Sequence, residues 1–107
     1  MAHFVVTYPN KENNHFDFDY YLSTHLPLGN RLLKDYGLTG WEVEKGRPNA
    51  RGEPPAFICI TRLYFGDPEQ MNAGFAAHGA ELKDDMSNYT NIEPVFTLVE
   101  TVGNSGK

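Results

Sequence analysis

Phe16-Asp17-Phe18-Asp19-Tyr20-Tyr21-Leu22-Ser23-Thr24-His25-Leu26-Pro27-Leu28 reads as the front of an amphipathic helix interrupted from within. Asp17 suits the N-cap, where a carboxylate accepts from the first free amides, and Asp19 complements the positive end of the helix dipole. Phe18, Tyr21, Leu22, His25, Leu28, Leu32 and Tyr36 recur at spacings of three and four, which predicts one apolar helical face ending at Gly37. His25 falls on that face. Pro27 has no amide hydrogen to give the carbonyl of Ser23, so a kink is expected beside the histidine. A broken ladder inside a good helix is a local conflict of the kind that functional sites tolerate.

Upstream of this helix, His3 to Tyr8 is apolar, β-branched and aromatic, and Pro9-Asn10 followed by Lys11-Glu12-Asn13-Asn14 stops it, so a strand and a polar loop are predicted. Downstream, Leu38 to Lys45 alternates apolar with charged residues, as a strand with one polar side does. Gly46 to Pro55 is a loop, since four of its residues (Pro48, Gly52, Pro54 and Pro55) prevent regular structure. Phe57 to Phe65 is apolar nearly throughout, Thr61 and Arg62 excepted, the pattern of a central strand covered on both faces. Arg62 then needs an acid, and Glu42 or Glu44 on the neighbouring strand can supply it.

Asp67-Pro68-Glu69 opens a second helix with a capping acid and a proline at the first helical position. Met71, Phe75, His78 and Leu82 share one of its faces, and small residues fill much of the rest; Gly74 and Gly79 each weaken it by up to about 1 kcal/mol relative to alanine. Asp84 to Glu93 is polar and turn-rich, Pro94 to Val102 is a last strand, and 103–107 reads as a frayed tail. Strand, helix, strand, strand, helix, strand within one domain of 107 residues is the ferredoxin-like α+β arrangement, an antiparallel four-stranded sheet with two helices on one face.

Counting faces adds a partner. Helices cover one side of such a sheet, yet large apolar residues alternate onto both: Phe4, Val6 and Tyr8 against Val5, Phe57, Cys59 and Leu63 against Ile58, Ile60 and Tyr64, and Phe96, Leu98 and Val102 against Val95 and Val99. An uncovered apolar sheet would aggregate, so a homodimer packed sheet to sheet is expected.

The net charge of -5, with no cluster of Lys and Arg, argues against nucleic-acid or anionic-membrane partners. Cys59 has no second cysteine to bridge and lies in a strand-like apolar run, so a packed thiol is expected. Met1 to Tyr8 lacks the basic start and long apolar core of a secretion signal, and no apolar run approaches membrane-spanning length, so a cytoplasmic protein is expected. The histidines lack metal-ligand spacing, and no structural metal is expected.

Val6-Thr7-Tyr8-Pro9, the helix block from Phe16 to Leu28, Gly40-Trp41-Glu42-Val43-Glu44-Lys45-Gly46, Leu63-Tyr64-Phe65 and Asn88-Tyr89-Thr90-Asn91-Ile92-Glu93-Pro94-Val95 together resemble the EthD family, named for a protein needed for bacterial degradation of ethyl tert-butyl ether. The resemblance implies the dimeric α+β barrel superfamily. It also implies a setting in xenobiotic or secondary-metabolite degradation, and chemistry among that of cofactor-independent monooxygenases, isomerases, cyclases and dehydratases, or of haem-binding relatives. Family-level labels of reductase exist, but no Gly-rich dinucleotide fingerprint supports a nicotinamide cofactor here. Asn91 departs from the acid expected at its position in the family.

His25 is the candidate catalytic residue, a general acid/base beside a helix break, with Tyr21 one helical turn away as its expected neighbour. The competing reading is a core histidine satisfied by a carbonyl or a tyrosine. Tyr21, Trp41, Tyr64, Phe75 and Tyr89 are the candidate lining of a pocket for a small apolar molecule, with Tyr20 and Tyr36 as further aromatics. No cofactor is expected, haem on one axial histidine being the exception left open. A non-catalytic carrier or accessory protein of an oxygenase system is the alternative to an enzyme.

Overall fold

The computed structural model describes residues 2–106. Strands β1 (Ala2–Pro9), β2 (Leu38–Lys45), β3 (Phe57–Phe65) and β4 (Val95–Glu100) form one antiparallel sheet in the order β2-β3-β1-β4. That order and the antiparallel pairing of every neighbour are the ferredoxin-like α+β fold read from the sequence. The bounds of β2 and β3 fall where the alternation and the flanking Gly and Pro residues placed them.

The first helix is more elaborate than one amphipathic rod. Asp17 caps it, accepting from the Tyr20 amide at 3.0 Å, and Gly37 ends it with a left-handed φ of 89° that only glycine adopts without strain. Between them lie α1 (Phe18–Tyr20), a π-helical turn (Tyr21–His25), α2 (Leu26–Leu33) and a 3-10 turn (Lys34–Tyr36). The Leu26 amide reaches back five residues to the Tyr21 carbonyl, and Pro27 then stands at the second position of α2, where its fixed φ suits the helix and its missing amide leaves the ladder one bond short. The ladder break at Pro27 therefore takes the form of a π turn.

This wide turn changes which side chains face inward. Tyr21 and Leu26, five apart, are 2% and 5% exposed, whereas Leu22, expected on the buried face, is 46% exposed. Leu33 takes the buried place further along, with Leu28 and Leu32 only half-buried. The spacing of three and four holds for an unbroken α-helix, and one π step rotates everything after it by one residue.

Helix α3 (Pro68–Asp85) opens as predicted, Asp67 accepting from the Glu69 amide at 2.9 Å. It continues through Asp84 and Asp85, read in the sequence as turn, and ends in a 3-10 turn (Met86–Asn88). Strand β4 is shorter than the predicted Pro94 to Val102: it stops at Glu100, and Val102 is exposed beyond it. The tail has no regular structure over 103–106, and Lys107 lies outside the described residues.

On the helix-covered side of the sheet, Phe4, Val6 and Tyr8 pair with Leu63, Thr61 and Cys59. The other side carries His3, Val5 and Thr7 opposite Tyr64, Arg62 and Ile60. It is more polar than the apolar face expected from counting side chains, because Arg62 pairs with Glu44 at 3.1 Å and the Tyr64 hydroxyl reaches Glu42 at 3.4 Å. Cys59 is fully buried on the helix side, and burial pushes its thiol up to about 11, the packed state expected of it.

The core is divided. Val6, Tyr8, Tyr21, Leu26, Cys59, Tyr89 and Ile92 form one buried cluster, and Leu33, Phe65 and Met71 form another. Phe4 packs against both, and a cavity of about 420 Å³ is lined by members of both.

Candidate active site

The cavity lies between helices α2 and α3 and the sheet, with walls that are overwhelmingly apolar: Phe4, Val6, Leu26, Leu33, Leu38, Leu63, Phe75, Leu82, Met86 and Phe96 among them. Its polar groups are drawn chiefly from five residues, Tyr8, Tyr21, His25, Thr61 and Tyr89. Four of the five are tied by hydrogen bonds in two lines. The Tyr8 and Tyr89 hydroxyls lie 2.8 Å apart, and those of Tyr21 and Thr61 lie 2.5 Å apart. His25 Nε2 stands 3.4 Å from the Tyr89 hydroxyl, which joins the imidazole to the first line.

The histidine is held from both sides and from behind. Its ring lies nearly parallel to that of Tyr21, centroids 5.4 Å apart, and is tilted against Tyr89 at 4.6 Å. Behind it, Nδ1 sits 2.8 Å from Asp85 Oδ2 at the end of α3. Asp85 also accepts from the Tyr20 hydroxyl at 2.8 Å and from the Asn88 amide at 3.0 Å, so both its oxygens are engaged.

These contacts fix protonation. Burial raises the Asp85 carboxyl, but the hydrogen bonds from His25, Asn88 and Tyr20 outweigh it and hold the group below the ordinary carboxylate range. Burial lowers the His25 imidazole, and the Asp85 carboxylate only partly restores it, leaving it below 6.5. At neutral pH His25 is thus neutral, Nδ1–H donates to the carboxylate, and Nε2 presents a lone pair towards Tyr89 and the cavity. Burial raises the phenols of Tyr8, Tyr21 and Tyr89 far above their ordinary value, so all three remain donors.

The chain brings these groups together by ordinary local means. The Tyr89 carbonyl accepts from the Asp17 amide at 2.7 Å, Phe16 and Thr90 form an isolated β-bridge, and the Thr90 hydroxyl donates to the His15 carbonyl at 2.7 Å. Asn91 completes the strap, accepting from the His15 amide at 2.9 Å and donating to the Asn13 carbonyl at 2.9 Å. An amide serves both roles, and the carboxylate expected at position 91 could not donate.

Of the candidate residues named from the sequence, His25, Tyr21, Trp41, Phe75 and Tyr89 all line this one cavity. Tyr64 stands on the opposite face of the sheet, its ring tilted against His3 at 4.9 Å, because it has the same parity on β3 as Ile60 and Arg62. Tyr21 is a stacking neighbour of His25, and the polar partners of the imidazole are Asp85 and Tyr89. Asp85 and Tyr8 were missed by sequence reasoning. Thr61 was signalled only as a polar residue in an apolar strand. His78 meets Tyr36 edge-on at 5.6 Å, away from these groups. Among the described residues no group of three or more His, Cys, Asp or Glu could hold a metal ion, and no helix is long and apolar enough to cross a membrane.

Residues 13–93 match the family model of the EthD domain. The chain is 34% identical to an EthD-like protein from Ralstonia eutropha JMP134, covering 98% of this chain and 95% of that one, with a TM-score of 0.90. An ethyl tert-butyl ether degradation family protein from Bacillus halodurans C-125 has the same fold at 21% identity, with 95% and 99% of the two chains covered and a TM-score of 0.66. An antibiotic biosynthesis monooxygenase shares it more distantly, at 12% identity over 96% and 100% of the chains, with a TM-score of 0.50. No curated protein matches the chain.

Proposed function

The chain belongs to the EthD family, within the dimeric α+β barrel superfamily, and on that premise we propose that it is a cofactor-independent acid–base enzyme. Its substrate is a small apolar metabolite of a degradative pathway, handled in the cytoplasm. The observation that carries this reading is the Asp85–His25–Tyr89 line, which points an unprotonated imidazole nitrogen into an apolar cavity. His25 takes a proton from a hydroxyl or from the carbon beside a carbonyl. The protonated tyrosines donate to the oxygen on which negative charge develops. Asp85 sets the tautomer and stabilises the imidazolium once it forms. Isomerisation, dehydration, cyclisation and reaction of a deprotonated substrate with dioxygen all begin with this step.

The reading is tested without substrate by nitrogen-15 NMR of His25. The neutral form should carry its proton on Nδ1, and its titration midpoint should lie below 6.5, since burial outweighs the carboxylate. In Asp85→Asn the midpoint should fall further, because the one group that raises it is gone, and the Nδ1–H preference should weaken. A midpoint at or above 6.5 in the native protein, or a proton on Nε2, would remove the base from this mechanism. The same shift links to stability: a histidine with a depressed folded pKa binds its proton more readily when unfolded. Its contribution is therefore complete above 6.5 and lost as pH falls below it.

A homodimer is part of the same proposal. Val95 on one side of β4, and Phe96 and Leu98 on the other, are each more than half exposed in the single chain. Ile60 and Val99, both half-buried, add apolar surface to the side of the sheet that the helices leave bare. Light scattering at micromolar concentration should give twice the chain mass, and a monomer there would contradict the arrangement.

A further inference from the structure

Glycine inside a helix is unfavourable relative to alanine, so a mid-helix glycine calls for a physical reason. Helix α3 has two, and only one is explained by packing. A Cβ on Gly74 would meet Tyr36 Cβ at 2.9 Å and Leu33 Cδ2 at 3.1 Å, so this position lets α3 close onto the first helix. A Cβ on Gly79 would meet nothing within 4 Å, and its φ is not left-handed. Gly79 nevertheless lines the cavity, on the helical face that also presents Phe75, Leu82 and Met86 to it. The missing side chain is a gap in the wall, and its effect is to leave α3 backbone bare to whatever occupies the cavity.

Resting on the acid–base reading above, we infer that Gly79 is the clearance for a flat, uncharged, fused-ring ligand. Its oxygen sits at the His25–Tyr89 end, and its far ring lies against the α3 backbone at Gly79. Three observations set these properties. The charge-bearing groups described on the wall are His25, neutral at pH 7, and Lys83, which is solvent-exposed, so a carboxylate or phosphate would find no buried counter-ion. The volume of about 420 Å³ is nearly three times the ~150 Å³ that holds one benzene ring in a protein interior. Gly79 lies six residues before Asp85 on α3, about 9 Å along the axis at ~1.5 Å per residue, so a single ring anchored at His25 stops short of it and a second or third ring reaches it.

The test is calorimetric titration of phenol, naphthol and hydroxyanthracene into the native protein, Gly79→Ala and Gly79→Leu at pH 7. Affinity for the native protein should rise with ring number. Gly79→Leu should weaken the two- and three-ring ligands at least tenfold and phenol less than twofold, with Gly79→Ala intermediate. Neither variant should melt below the native protein, since each adds helix propensity. Equal losses on all three ligands, no loss on any, or no binding by the native protein would overturn the inference. So would conversion of Gly79→Leu alone to a monomer, which would make the cleft a seat for a partner chain. Binding does not require His25 to take a proton, so a graded loss can appear even where the His25 titration contradicts the base, and the two failures are distinguishable.

Discussion

Turnover by His25→Ala is expected to fall by about 10²- to 10⁴-fold, the range a positioned acid–base group contributes, with the fold retained. The structure says why the two readouts should part. The imidazole side chain is only 12% exposed, but one of its sides opens on an existing cavity, so alanine enlarges a space already present and does not open a sealed one. Asp85 keeps its bonds from Tyr20 and Asn88, so its carboxylate is not left buried and unpaired. Tyr89 keeps its bond to Tyr8. Circular dichroism should match the native protein while turnover of any ligand found to be converted is lost. Undiminished turnover would return His25 to a packing role, whereas no turnover of any candidate substrate by the native protein would favour the carrier reading.

Leu33→Ala should do the reverse, costing about 2–5 kcal/mol of stability, while the His25 line stays intact. Leu33 is 1% exposed and anchors the smaller cluster with Phe65 and Met71. One of its methyl groups lies against the bare backbone at Gly74, which has no side chain to move into the space it leaves. At ~4–8 °C per kcal/mol for a domain of this size, the melting temperature should drop by about 8 °C or more. A much smaller drop would mean that the helices close over the lost volume, and the cavity beside it would then shrink. Reading thermal melts and titration volumes together separates those outcomes.

What was legible in the chain follows from how local the physics is. The caps at Asp17 and Asp67, the left-handed stop at Gly37 and the ends of β2 and β3 are each fixed by residues within a few positions, and each could be read. Pro27 announced a break, but a kink and a π turn both answer a missing amide, and only packing chooses between them. That choice put Leu22 outside and Leu26 inside, against the periodicity. Asp85 could not be found because its bond to His25 spans 60 residues and nothing around Asp85 differs from an ordinary helix end. Tyr64 is the opposite case. Its parity with Ile60 and Arg62 already placed it across the sheet from Leu63 and from any pocket under the helices, and counting by aromatic content alone obscured that.

The divided core has a consequence for how long each molecule survives. The two clusters are joined only through partly buried residues such as Phe4 and border one cavity, so whatever fills that cavity adds contacts between them. Ligand held at a hundredfold above its dissociation constant adds about 2.7 kcal/mol to the folded state, comparable to the loss of a core leucine. Empty copies open more often and are cleared faster by proteases, whereas filled copies persist. The level of this protein in the cell would then follow the supply of whatever compound fills the cavity, with no transcriptional signal required.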